Sequence, residues 1–537
     1  MIRDEIKKII QKAAKFHWNI DLELDQIKID YSPEGFGDYS TNVAMFLAKE
    51  ARSNPMETAE EIADEILKRV QDDTIEDIKA VKPGFLNFYL TRGILQNVVA
   101  EINEAGRRYG GSSMGKGQKI HLDFVSANPT GPVHIGNARG GPFGDVLANI
   151  LEKVGFKTLR EYYVNDTGGQ AEILGHSIIG DEQAQYQGGY IEELRKKISE
   201  KDPGKAGEQG VKIILEDVIK PSMEKLGIRF DNWFSERELQ KSGKVDKALD
   251  LLRGKNLIYE NDGALWFRST NFGDDKDRVV VKSSGEKTYF GSDIAYHKEK
   301  IDLGFDKLID IWGADHHGDV KRMKGAMEAL GYKDKLEIIL TQFVRVLTEG
   351  KEMKMSKRAG TYVSIDDLIE EVGKDATRFF FLMYSADTHM NFDMDLAKER
   401  SEKNPVYYVQ YAHARICSIF RKYNPSTVLR TSAKNAKEYA KNANLELLEH
   451  ETESKLIKQL IKFPEIIEDV AKDYQVHRLP HYAIELVKTF HKLYEDCRVI
   501  DEKAPELTQA RLALVRATQI TLKNTLDLMG ISAPEKM

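Results

Sequence analysis

The stretch KIHLDFVSANPTGPVHIGNARGGPFGDVLANILEKVGFKTLREYYV, Lys119–Val164, decides how this chain folds. It opens on an alternating run. Ile120, Leu122 and Phe124 share one face, and His121, Asp123 and Val125 the other, which is the two-residue period of a strand. A loop rich in proline and glycine follows, then a helix from about Asn137 to Val154, then a second strand, KTLREYYV. This is a β-α-β unit, and it implies a parallel sheet covered on both faces. A strand in such a sheet should be apolar on both sides, so polar residues near its carboxyl end mark a ligand crevice there.

Upstream, Gly106 to Gly117 hold five glycines and two serines, a domain boundary. Residues 1–105 read as a small mixed α/β domain with strand-like IEDIKAV and FLNFYL. Downstream, residues from about 176 to 260 are polar and largely helical, an insertion between the two halves of the sheet that closes by about 286. GALWFRST and RVVVKSS lead back to the second half. There LIDIWGADHHGD and IILTQFVRV read as strands, with GADHH at a carboxyl end. The sheet domain thus covers 106–394, and 395–537 is helical throughout, a bundle. The fold class is α/β, Rossmann-like, with a small N-terminal domain and a C-terminal α-helical bundle.

Bulk properties agree with several domains. The chain has 537 residues, 41% hydrophobic, and a net charge of −7. From Ser401 onward there are 21 Lys and Arg against 18 Asp and Glu, leaving 58 against 68 in the rest. A weakly basic tail on an acidic body permits an RNA partner. Cys417 and Cys497 are the two cysteines, too few for a zinc cluster. The start, MIRDEIKKIIQKAAKF, lacks the apolar core of a signal peptide, and no stretch nears the roughly 20 apolar residues of a membrane span. A soluble cytoplasmic protein without membrane partners is expected.

Two short motifs carry chemistry. In HIGN, Gly136 lets a nucleotide lie against the backbone, His134 can donate to phosphate oxygens, and Asn137 opens a helix whose N-terminus favours anions. In KMSKR, Lys354, Lys357 and Arg358 put three cations within five residues. Such a loop can close over phosphates and stabilise a transition state. Alone, each motif is also compatible with chance or with solvated surface. Together and in this order they point to adenylation by ATP with release of pyrophosphate.

HIGN and KMSKR resemble the two signatures of class I aminoacyl-tRNA synthetases. SANPTGPVHIGNARG, YYVNDTGGQ, DRVVVKSSGEKTYFGSDIAYH, WGADHHGD, MKMSKRAGTYVSIDDLI and NPVYYVQYAHARICSI resemble the arginyl-tRNA synthetase family in particular, as do GDYSTNVAM and SAPEKM near the ends. The resemblance implies ligation of L-arginine to its tRNA through an arginyl-adenylate, by a monomer using ATP with its Mg²⁺ and no structural metal. It places His134, Gly136, Asn137, Lys354, Met355, Ser356 and Lys357 around ATP. It places arginine against Asp123, Asn128, Tyr289, Asp293 and one histidine of GADHH, taken as His317. Tyr289 and Asp293, four apart, would share a helix face; a helix N-cap is the lesser alternative for Asp293. Asp315, His316 and His317 could suggest a metal cluster, but read as strand residues they would point to alternate faces. Asn165 and Asp166 read as a turn. A site that hydrogen-bonds a guanidinium rejects analogues by itself, so no editing domain is expected.

The same resemblance makes the bundle an anticodon reader through Tyr408, Tyr411, Arg415 and Met537, and brings the N-terminal domain to the tRNA elbow. The spacing of three and four sets the first three on one helix face, where a tyrosine stripe can be either core or a stacking surface for unpaired bases. Other class I synthetases, a small nucleotidylyltransferase and an inactive RNA-binding relative are the competing readings. Acidic pocket residues, the long bundle and the intact His134, Gly136 and Lys357 argue against them in turn. Some family members carry a lysine three residues before the histidine of the first motif and lack the second lysine of KMSK; here these positions are Gly131 and Lys357. The phosphate cation is therefore expected from Lys357. Lys357→Ala should lower arginine-dependent ATP–pyrophosphate exchange about a hundredfold or more, the scale of one lost transition-state donor; a near-normal rate would refute the assignment.

Overall fold

The computed structural model describes residues 1–69, 74–352, 363–423 and 443–537. Its centre is a five-stranded sheet in the order Leu336–Thr341, Lys307–Gly313, Lys119–Phe124, Lys157–Val164, Asn232–Ser235, with every pairing parallel. Lys119–Phe124 is thus the middle strand. Its apolar residues Ile120, Leu122 and Phe124 are buried, and so are His121 and Asp123 on the other face. The helix Gly140–Lys153 crosses back over the sheet, and Gly144 lets it come close: a Cβ there would sit 2.4 Å from the Phe124 ring. A short turn of helix, Ile135–Ala138, precedes it, so the single expected helix is two.

The expected insertion needs correction. Asn232–Ser235 lies inside it, yet this strand pairs with Lys157–Val164 as the edge of the main sheet. A four-residue edge strand with polar flanks has too short a period to stand out from helical surroundings. Ile258–Asn261, Ala264–Phe267 and Arg278–Val281 form a separate antiparallel sheet. Val344–Thr348 pairs in parallel with Met390–Asp393 and antiparallel with Lys351–Glu352.

The N-terminal part is a four-stranded antiparallel sheet with the helices Ile2–Trp18, Val43–Ala51 and Pro55–Arg69. The long helices Pro405–Tyr423, Glu451–Asp473, Arg478–Asp496 and Pro505–Met529 make the C-terminal bundle. Polar knots join the parts. Glu465 of the bundle, 2% exposed, accepts hydrogen bonds from Tyr31 Oη (2.9 Å), Tyr39 Oη (3.0 Å) and the Arg3 amide (3.1 Å) of the N-terminal domain. Arg378, fully buried on helix Lys374–Leu382, donates to the carbonyls of Met529 (2.8 Å) and Leu226 (3.0 Å) and to Asp145 (2.5 Å). Gly530 ends the last helix at φ +67°, and a Cβ there would strike the guanidinium at 2.4 Å.

Without Arg378, Asp145 keeps only Arg160 Nε at 3.7 Å, so the loss should approach but not exceed the roughly 3–5 kcal/mol of a buried charge left unpaired. Arg378→Ala should therefore lower the denaturant midpoint markedly and expose the end of helix Pro505–Met529 to amide exchange. An unchanged midpoint would show that Arg378 does not join the parts.

Candidate active site

The site begins where the central strand ends. Val125 and Ser126 both have positive φ, 69° and 37°, an uncommon conformation for a β-branched residue and a sign of a turn held by its surroundings. Ser126 Oγ donates to Asp123 Oδ1 and accepts from the Tyr163 amide (2.9 Å) of the next strand. The sharp turn frees ANPTGPV to run along the carboxyl edge of the sheet and deliver His134.

His134 caps the helix Ile135–Ala138, its Nδ1 accepting from the Gly136 amide at 2.9 Å. A nitrogen that accepts carries no proton, so in the neutral ring the proton sits on Nε2. Residues 133–135 pair with 363–365: the Ile135 amide donates to Val363 (3.3 Å), the Ile365 amide to Val133 (3.0 Å), and His134 faces Ser364 across an isolated bridge. Val363, where the described chain resumes, therefore lies beside the first motif. Lys354, Met355, Ser356 and Lys357 of the second motif lie outside the described residues. Gly136 is half-buried and Asn137 exposed.

Behind this edge, one row of residues crosses the sheet. Strand register aligns Asp310, Asp123, Glu161 and Asn232, so three carboxylates lie side by side on one face. Helix Tyr289–Asp302 packs on that face, presenting Tyr296, His297 and Lys300. His297 Nε2 meets Asp310 at 2.7 Å; burial alone would lower the imidazole, but the carboxylate overcomes it and holds His297 up at about 9. Glu161 receives Lys300 Nζ, His121 Nε2 (3.0 Å) and Tyr296 Oη (2.7 Å). Burial pushes Glu161 up, yet His121 and Lys300 bring it down to about 2.

Among the described residues, Asp123, in the middle, has no cation paired with it. It shares the single Tyr296 hydroxyl proton, at 3.1 Å, and takes that of Ser126. Burial first, then the charge of Asp310, drives it up to about 7. Asp293, one turn earlier on the same helix, is also raised, to about 6, again chiefly by burial. Glu236, 1% exposed at the end of the edge strand, goes up to about 7 through burial and the charge of Asp293. Tyr163 lies among the three; burial and the charges of Asp293, Glu236 and Asp123 push its phenol up. The pocket holds a surplus of poorly compensated carboxylate charge, and a cation would relieve it.

Asp123 and Asp293, both expected, converge on this pocket. Tyr289 is the first residue of its helix and 51% exposed, and the cap is Thr288, whose Oγ accepts from the Gly291 amide (3.2 Å), so Asp293 is not a cap. Asn128 is exposed, with its amide facing Asn165 at 3.1 Å. Asp315 and His316 lie in a 3₁₀ turn and His317 starts a helix, which corrects the strand reading of these three. His317 is exposed, and His316 lies 3.3 Å from Asp319. Among the described residues, no cluster of three or more His, Cys, Asp or Glu is placed to hold a metal ion. Sequence reading missed Glu161, Glu236, Asp310, Tyr296, His297 and Lys300. A signal was present: Asp293, Tyr296, His297 and Lys300 recur at helical spacing, a polar stripe on a helix that must face a sheet.

On the bundle, Tyr411 is 40% exposed, stacks on Tyr407 (centroids 6.4 Å apart) and lies 3.5 Å from Arg415. Tyr408 is half-buried with its hydroxyl 3.0 Å from His491 Nδ1, so the stripe divides into one packed and one open tyrosine. The last residues lie along the same helix, with Arg421 donating to the Glu535 carbonyl (2.9 Å); Met537 is 54% exposed.

Asp293 holds its proton more tightly folded than unfolded. The stability this provides is complete below about pH 4, the ordinary range, and is lost as pH rises through about 6. Asp293→Asn should therefore stabilise the free protein by on the order of 1 kcal/mol above pH 7 and not at all at pH 4. Equal denaturant curves for both proteins at pH 8 would contradict the burial cost.

Three family descriptions match the chain: "Arginyl tRNA synthetase N terminal domain" over residues 1–90, "tRNA synthetases class I (R), catalytic domain" over 98–196 and 191–382, and "DALR anticodon binding domain" over 409–537. The arginine–tRNA ligase of Bacillus subtilis is 44% identical, the alignment covering 100% of this chain and 98% of that one. That of Listeria monocytogenes serovar 1/2a is 45% identical, over 99% and 98%. The solved Thermus thermophilus arginyl-tRNA synthetase, 23% identical, covers 100% of both chains with a TM-score of 0.77, which establishes the shared fold. With a parallel-sheet core, an N-terminal α/β domain and a helical bundle all matched, this chain belongs to the arginyl-tRNA synthetase family of class I aminoacyl-tRNA synthetases.

Proposed function

We propose that the chain ligates L-arginine to its cognate tRNA through an arginyl-adenylate, releasing pyrophosphate and then AMP. The observation that carries the substrate is Asp123, a buried carboxylate left, among the described residues, without a cation between two neighbours that each have one. A guanidinium entering beside Asp123 and Asp293 supplies that charge and offers planar donors to both. Tyr289, Asn128 and His317, on the exposed rim, would meet the α-amino and carboxylate end.

The arginine carboxylate attacks the α-phosphate of ATP, which brings Mg²⁺ with it as part of the substrate. A carboxylate–phosphate bond forms as the bond to pyrophosphate breaks. His134, with its proton on Nε2, donates to a phosphate oxygen as charge grows there. Gly136 and Asn137 open the helix N-terminus beside it, and Lys354, Met355, Ser356 and Lys357 are assigned to the leaving phosphates, supported by the return of the chain at Val363 alongside His134. The terminal ribose hydroxyl of the tRNA then takes the arginyl group. Tyr411 and Arg415, with Tyr408 and Met537 beside them, are assigned to the anticodon. Among the described residues, no helix is long and apolar enough to cross a membrane. We infer a monomer acting in the cytoplasm.

Activation of arginine is expected to need bound tRNA, and arginine-dependent ATP–pyrophosphate exchange, with and without tRNA for arginine, tests the reading: exchange only with the tRNA supports both the substrate and that requirement, exchange at full rate without it counts against the requirement, and none in either condition from folded protein overturns the arginine assignment. The pocket also predicts a pH dependence. Asp123 and Asp293, up at about 7 and 6, must ionise to receive a guanidinium. Arginine affinity should rise about tenfold or more between pH 6 and pH 8, with proton release seen by calorimetry in buffers of different ionisation heat. A flat profile would remove the carboxylates from recognition.

A further inference from the structure

Beyond the crevice lies a small open surface that the adenylation chemistry does not use. Strands Val344–Thr348 and Met390–Asp393 bury Val344, Val346, Met390 and Phe392 and turn their other face to solvent. On that face Phe343, 57% exposed, stacks on exposed His389, with rings 16° from parallel and centroids 6.4 Å apart. The next exposed rung pairs Arg345 with Asn391. A π-face, a cation and an amide in adjoining rungs are what a single nucleotide of unpaired RNA requires: stacking for the base, charge for the phosphate, paired donor and acceptor for a base edge.

The surface is held rigid by a buried cation. Arg139, 2% exposed and five residues past His134, donates to the carbonyls of Gln342 (2.7 Å), Thr388 (2.8 Å) and Ser385 (2.8 Å). The Gln342 amide donates to Ala386 (2.8 Å) and the Met390 amide to Phe343 (3.1 Å). Both loops that present the aromatic pair are thus pinned to the helix of the first motif. Phe343 also lies two residues past Leu336–Thr341, whose last residue pairs with Gly313, the first of GADHH. The platform therefore adjoins the carboxyl edge of the sheet, where the candidate site opens.

We propose that Phe343 and His389 stack on an unpaired base of the tRNA 3′ end as it enters the site, with Arg345 meeting the adjoining phosphate. The proposal rests on the tRNA-charging reading above. A nucleotide enclosed as a substrate would have most of its surface buried; an open sheet face suits a strand passing over it. The adenine of ATP is the competing source of the same flat base.

The test compares Phe343→Ala, Phe343→Trp and Arg345→Ala in the full chain, with intact tRNA and with tRNA trimmed of its unpaired 3′ nucleotides. Phe343→Ala should weaken binding of intact tRNA fivefold or more, leave binding of trimmed tRNA unchanged, and leave KM for ATP and arginine in exchange unchanged. Phe343→Trp should restore the loss. Arg345→Ala should reduce the salt slope of intact tRNA binding by about one. Unaltered binding of intact tRNA, an equal loss with trimmed tRNA, or a raised KM for ATP with tRNA binding intact would each overturn the proposal. Failure of the unaltered chain to charge tRNA with arginine would be seen separately, as loss of the underlying reading.

Discussion

The row of carboxylates Asp310, Asp123 and Glu161 across three adjacent strands is the constraint around which the rest of the sheet domain is arranged. Burying like charges at strand spacing is costly unless each is compensated. Helix Tyr289–Asp302 compensates the outer two with His297 and Lys300 and gives the middle one only a shared hydroxyl. The helix therefore has one allowed rotation on the sheet. That rotation also sets where Asp293, one turn towards its N-terminus, projects. Recognition and folding use the same contacts, so the pocket is preorganised by the core rather than by the loops around it.

Much of this was visible in the sequence, and the rest was hidden for definable reasons. Alternation in KIHLDFVS put Asp123 on a polar face, because a single strand's period is local information. It could not reveal that Glu161 and Asp310 stand in the same row, because register between strands depends on how distant segments pair. The spacing of Tyr289 and Asp293 is likewise local. The polar stripe continuing through Tyr296, His297 and Lys300 is equally local, and it marks the face that meets the sheet. GADHH was read as a continuation of its strand, whereas the chain turns at Ala314. The approach of residues 133–135 to 363–365 joins segments more than two hundred positions apart, and no periodicity signals it.

The protein uses buried arginines as fasteners. Arg139 gathers the carbonyls of two loops, and Arg378 gathers those of two domains. Guanidinium suits this use, since its planar fork serves several acceptors at once and stays charged when desolvated. Arg160, also fully buried, ties the sheet to the crossing helix through Asn149 and Glu152. Such joints fix direction within an apolar core that runs continuously through the N-terminal, sheet and bundle parts.

The joint at Arg378 bears on how freely this architecture can be recombined. The last helix of the bundle ends on a glycine because a catalytic-domain side chain occupies the space where any other residue would place its Cβ. The two domains are therefore not interchangeable parts. A chimera that imported a bundle from a relative would need, at the junction, both a terminal carbonyl aimed at Arg378 and a residue without a side chain. Lacking either, it would leave a buried donor of Arg378 without its acceptor or drive a side chain into the guanidinium.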